Sequence, residues 1–164
     1  MTVMPDAYNY RYACSISDTT SVVITGGMVY EITGGGWSLG IDHDPTSRVS
    51  RYNTNGWMED LPSLNTARSY HGCGLYTTDT HKVNISTEER MLVLQYCLSQ
   101  VYVVMGGYDE GLNRLSSTEM LSEGEDTWRE RAPLPRPLSQ LRSVSLGNVI
   151  YLTGQMIILR VWSL

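Results

Sequence analysis

The feature that most constrains this chain is a short apolar run that ends in glycine and then comes back. Val22-Val23-Ile24-Thr25 leads into Gly26-Gly27, and Val101-Tyr102-Val103-Val104-Met105 leads into Gly106-Gly107. Val149-Ile150-Tyr151-Leu152-Thr153 leads into Gly154, with Gln155 where a second glycine would complete the pattern. Each run is rich in β-branched and aromatic residues, is too short for a helix, and is closed by the residue type that tolerates positive φ. They read as buried strands with a sharp stop. The abundance of glycine (15) and tyrosine (11) fits short strands joined by tight turns.

A second set of landmarks follows each complete diglycine. Arg51-Tyr52 precedes Trp57, and Leu61-Pro62 follows it; Met120-Leu121 precedes Trp128, and Leu134-Pro135 follows. Beyond each proline an arginine opens the next run, Arg68 in one unit and Arg142 in the next, with Arg11 read as the same position one unit earlier. This order resembles the Kelch repeat, in which a unit of about 50 residues forms one four-stranded propeller blade. The resemblance implies an all-β fold: an incomplete Kelch-type β-propeller built of four-stranded antiparallel blades. The units would be residues 10–60, residues 68–131 with an insertion at 84–100, a partial unit at 141–154, and an off-pattern tail at 155–164. In such a unit Trp57 and Trp128 would pack between neighbouring blades. An indole buries on the order of 200 Å2, enough for several kcal/mol. Arg68 and Arg142 would reach a neighbouring carbonyl or carboxylate.

Three segments break the spacing. A second Ile-Thr-Gly-Gly at 32–35 lies within residues 28–47, and Gly26-Gly27 is the pair expected to close the strand. From Arg68 to Gly106 is 38 residues, against 12 from Arg142 to Gly154. Within that excess Ser86 and Glu89 form a capping box ahead of Arg90-Met91-Leu92-Val93-Leu94, which predicts a short helix protruding from the blade. Excising Val83–Gln100 would restore a plain hairpin, so these segments read either as loop insertions or as translated intron. A closed propeller has typically 4–8 blades, and repeat units cannot bury their faces alone. The chain is thus expected to be a fragment of a longer protein, or to self-associate.

Composition narrows the function. Twelve Lys+Arg against 17 Asp+Glu give a net charge of −5, against a general nucleic-acid binder. No stretch approaches the ~18–20 apolar residues that cross a bilayer. The first residues have neither the basic nor the apolar region of a signal peptide, which favours the cytoplasm. Cys14, Cys73 and Cys97 match no zinc spacing and read as buried reduced thiols. The sequon at Asn84-Ile85-Ser86 reads as chance without a secretory signal. Asp42-His43-Asp44 is a poor metal site, because neighbours on an extended chain point to opposite sides. His71 is expected to pack at the start of the innermost strand, and His81 to sit in a turn. No cofactor and no catalytic residue is expected.

What remains is a non-catalytic protein–protein interaction module, for substrate recognition or scaffolding, with protein partners. Its loops would present Tyr108, Asp109, Glu110, Asn113 and Arg114 after one diglycine, with Arg68, Tyr70 and Arg142 from the links between blades, types suited to an interface. The alternative is a piece of a copper-radical oxidase resembling galactose oxidase, which needs tyrosine, cysteine and histidine ligands at the propeller axis.

Overall fold

The computed structural model describes residues 12–17, 20–29, 44–58, 61–85, 92–154 and 157–162. Among them every helix or strand element is a strand, and all strand pairs are antiparallel. β1 (Cys14–Ser17) and β2 (Val22–Thr25) open the first sheet, and β3 (Met28–Val29) and β4 (Asp44–Pro45) pair as a separate ribbon. β5 (Val49–Asn53) and β6 (Gly56–Met58) complete the first sheet in the order β1-β2-β5-β6. The second sheet is a meander of β7 (Gly72–Ile85), β8 (Leu92–Met105), β9 (Thr118–Ser122) and β10 (Arg129–Arg131). The third contains β11 (Arg142–Leu146), β12 (Val149–Gly154) and β13 (Ile157–Trp162). The off-pattern tail therefore returns as a strand, with Leu152 opposite Leu159.

The three sheets stack, with the second in the middle. Strand alternation sends successive side chains to opposite faces. Tyr102 and Val104 face the first sheet and join Ile16, Val23 and Val49. Val101, Val103 and Met105 face the third and join Ile150 and Leu152. Gly72 and Gly74 lie against Leu152 and Ile150, so that a Cβ at either position would collide with them. The apolar run of β8 is thus buried on both sides, which is why it reads as a continuous rather than an alternating stretch. Trp128 is buried in the first interface, where its indole N–H donates to Pro62 O at 2.7 Å. Trp57 differs. It lies half-buried beside Tyr52 (ring centroids 5.2 Å apart), outside that shared core.

The diglycines do equivalent work. Gly26 and Gly106 have φ of 57° and 61°, and a Cβ on either would come within 2.5 or 2.6 Å of the carbonyl oxygen of Arg68 or Leu138. Gly27 and Gly107 donate their N–H groups to those same carbonyls at 2.8 Å. Each pair ends a strand and accepts the chain that leads into the next sheet. Gly26-Gly27 indeed follows β2 directly, while residues 32–35 lie outside the described residues.

The pairing register also corrects the arginine frame. Cys14 pairs with Thr25, Gly72 with Met105 and Arg142 with Thr153, so Cys14, Gly72 and Arg142 hold equivalent places. Two residues before each stands Tyr12, Tyr70 or Gln140, all at positive φ. The counterpart of Arg68 is therefore Leu138, not Arg142. Leu138 sits in the apolar core between the second and third sheets, whereas Arg68 forms a buried ion pair with Glu119. Their side chains are 0% and 1% exposed. The guanidinium also donates to Gly106 O at 3.0 Å and Ser117 Oγ at 3.1 Å. Glu119 accepts from the backbone N–H groups of Asn65 and Thr66 at 2.7 and 3.1 Å. Burial pulls the Arg68 pKa down, and Glu119 works against that fall.

Three further expectations are overturned. The 84–100 segment does not supply a helix in its described part: Asn84 pairs with Val93, and Leu92–Gln100 run on as strand into Tyr102. A partner strand that satisfies backbone groups residue by residue outweighs a local capping signal. Residues 86–91, including the capping box, lie outside the described residues, as does His43. His81 falls within β7 rather than in a turn. The cysteines are not all reduced, for Cys14 and Cys73 form a disulfide with Cα atoms 5.9 Å apart. Their separation of 59 residues says nothing in sequence, but stacking places β1 beside β7.

Two measurements check this account. Glu119→Ala leaves the Arg68 charge buried without its partner and is expected to cost about 3–5 kcal/mol in urea unfolding, whereas Arg68→Met with Glu119→Leu recovers most of that loss. Closing a loop of 59 residues is expected to contribute about 4 kcal/mol. Cys14→Ser should therefore melt well below the parent, and alkylation of the unreduced parent in denaturant should leave Cys14 and Cys73 unlabelled.

Candidate protein-binding end

The segments that join the sheets meet at one end of the stack. Ser69 and Tyr108 exchange backbone hydrogen bonds at 3.1 and 2.8 Å, and Leu138 donates to Leu115 O at 3.0 Å. This ties the 61–71, 106–117 and 132–141 segments together. Tyr70 sits at φ 54°, which turns its ring out of the strand direction. It stacks on Tyr12 with centroids 3.9 Å apart and meets Tyr108 edge-on at 5.9 Å. Three tyrosines from three segments thus form one aromatic row.

The turn after the second diglycine is self-braced. Asp109 accepts from the Asn113 backbone N–H at 2.8 Å and from Asn113 Nδ2 at 3.2 Å. The backbone N–H of Asn113 holds the Asp109 carboxyl below its ordinary pKa. Asp109 and Asn113 therefore shape the turn, while Glu110, Leu112 and Arg114 stand exposed on it. Leu112 is 63% exposed, at φ 58°.

Beside the aromatic row lies a cavity of about 200 Å3, lined by Tyr12, Tyr70, His71, Arg142 and Ser143 among others. Arg142 is exposed and makes a 3.4 Å bond to its neighbour Leu141 O. The expected site residues thus separate. Tyr70, Tyr108, Glu110, Arg114 and Arg142 are at the accessible end, Asp109 and Asn113 brace it, and Arg68 is buried with nothing to offer a partner. Sequence reasoning missed Tyr12 and Leu112. Tyr12 was legible only through its place two residues before the first strand, matching Tyr70. Among the described residues no three His, Cys, Asp or Glu side chains gather as a metal set requires.

His71 lies just beneath the row. It is buried, with Nε2 2.9 Å from Thr25 Oγ1, and its Nδ1 has no hydrogen-bond partner. Burial, and then the positive Arg68, push its pKa down to about 3, while the Thr25 contact acts the other way. The folded state therefore holds a neutral imidazole, and the unfolded chain binds a proton below about pH 6.5. This contribution is complete at pH 7 and is lost as the pH falls toward 3. Acidifying from pH 7 to pH 5 should remove on the order of 2 kcal/mol through this group. His71→Gln is expected to unfold with a correspondingly flatter pH dependence in urea titrations. Comparison with protein-family models and with curated proteins brought no match to this chain.

Proposed function

We propose that the chain is a non-catalytic protein-interaction module of the Kelch propeller type, with two four-stranded blades and a third of three strands. One observation carries this reading: successive meander sheets stack through equivalent positions, and their connecting segments converge on a tyrosine-rich, charged end. Such an end suits recognition of a folded or extended protein segment. Tyrosine provides large contact area at low entropic cost, and exposed Arg114, Arg142 and Glu110 provide charge-assisted hydrogen bonds. The disulfide supports a further point. Such bonds persist in oxidising surroundings and are rare in the cytosol, so we place maturation in an oxidising compartment rather than the cytoplasm favoured by the N-terminal residues.

The test is affinity capture with the whole chain as bait, followed by quantitative binding to whichever protein is enriched. Tyr70→Ala and Arg142→Ala should each weaken that binding by about tenfold to thirtyfold while the disulfide and the melt remain intact. Unchanged binding in both variants removes the end from the reading. Stoichiometric copper uptake with oxidase turnover would replace the module with the oxidase.

A further inference from the structure

We infer that Leu112 is an anchor that this chain inserts into a protein partner, in an aliphatic-lined pocket whose rim carries a basic group opposite Glu110 and an acidic group opposite Arg114. The inference rests on the interaction-module reading and names the residue that enters the partner, together with the chemistry of the surface that receives it.

Four non-glycine residues among the described ones lie at positive φ, and Leu112 is the one that the repeat does not explain. Tyr12, Tyr70 and Gln140 share one place, two residues before the first strand of each sheet. Their backbone is tied from sheet to sheet: Tyr70 N–H donates to Tyr12 O at 2.9 Å, and Leu141 N–H donates to Tyr70 O at 3.1 Å. Leu112, at φ 58°, lies instead in the turn after the second diglycine. A Cβ makes the left-handed region unfavourable, so glycine or asparagine is the residue that such a position selects. The same leucine is 63% exposed and belongs to neither apolar core. A single exposed leucine is ordinary on a protein surface. One that is also held against its backbone preference is not, because neither turn nor core gains from it, and such outliers gather at functional sites.

The turn presents this side chain rigidly. Tyr108 and Arg114 bridge its base. Above that bridge Asp109 N–H donates to Asn113 O at 3.1 Å, Leu112 N–H donates to Asp109 O at 3.0 Å, and the Asp109 carboxylate accepts twice from Asn113. None of these bonds uses the Leu112 side chain. A tip ordered in advance loses little freedom on docking, so more of the contact energy appears as affinity. Glu110 and Arg114 stand exposed, two residues to either side of the leucine. An apolar centre between opposite charges is the pattern of a protein interface, an anchor with a polar rim. A lipid surface suits it less: one leucine is a small apolar commitment, and Asp109 and Glu110 would be repelled by anionic headgroups. The turn is also continuous with the aromatic row, because Tyr108 at its base meets Tyr70 edge-on.

Leu112→Gly and Leu112→Asn suit the left-handed backbone better than leucine does, so both are expected to melt no lower than the parent. The probe is the purified protein that capture with the parent chain enriches. Against it both variants should bind at least about thirtyfold more weakly, while Leu112→Met stays within about threefold of the parent. Glu110→Lys should weaken binding by an amount that added salt reduces. A photoreactive leucine analogue at position 112 should cross-link to aliphatic residues on one surface of that protein. Undiminished binding of Leu112→Asn, cross-links scattered over unrelated surfaces, or a Leu112→Gly melt well below the parent overturns the inference. So does recruitment of the parent to phosphatidylcholine–phosphatidylserine vesicles that Leu112→Asn abolishes. If Tyr70→Ala and Arg142→Ala weaken binding while the Leu112 variants do not, the anchor falls and the module reading stands; if none of these variants changes binding, both fall.

Discussion

The buried pair of Arg68 and Glu119 fixes how the first two sheets join. An arginine with no exposed surface is costly unless every donor finds an acceptor. Here the charge meets Glu119, and the remaining donors meet Gly106 O, Ser117 and Thr66 O. Glu119 in turn holds the backbone of Asn65 and Thr66. The segment between the first and second sheets is thus clamped on β9 from both directions. The same Arg68 carbonyl receives Gly27, so a shift at the pair would be felt at the end of β2. Its net stabilisation is modest by the usual reckoning of buried ion pairs, and its stronger effect is to allow a single arrangement.

The next junction reaches the same geometry without charge. Leu138 takes the place of Arg68 and fills the core with Leu134, Leu141 and Met105. Two solutions to one backbone problem explain why the repeat is easier to see in glycines than in side chains. The glycines answer to a carbonyl that approaches too closely for a Cβ, and that demand is the same at both junctions. The side chain beside it only has to fill or to pair.

This also sets what the sequence made legible. The runs at Val22–Thr25, Val101–Met105 and Val149–Thr153 are strands, because β-branched side chains and a following glycine specify them locally. Trp128 is an inter-sheet residue as its repeat position implied. The arginine frame failed because arginine after proline looks alike at Arg68 and Arg142, although pairing separates the two by four places. The helix expected in 84–100 failed because the partner strand is remote information. Cys14 and Cys73 were unreadable for the same reason: only stacking brings them together. At the end where the connecting segments converge, residue types could not tell exposed Arg142 from buried Arg68. Nor could they tell that Asp109 and Asn113 are occupied with each other.

The disulfide has a consequence for how this chain survives damage. It joins the first strand of the first sheet to the first strand of the second. A single cut of the backbone anywhere between Cys14 and Cys73 therefore produces two pieces that remain one molecule. The first sheet would stay moored to its neighbour at a local concentration that favours re-docking. A nicked protein of this kind keeps its size and its surface until a reductant arrives, and only then does it come apart.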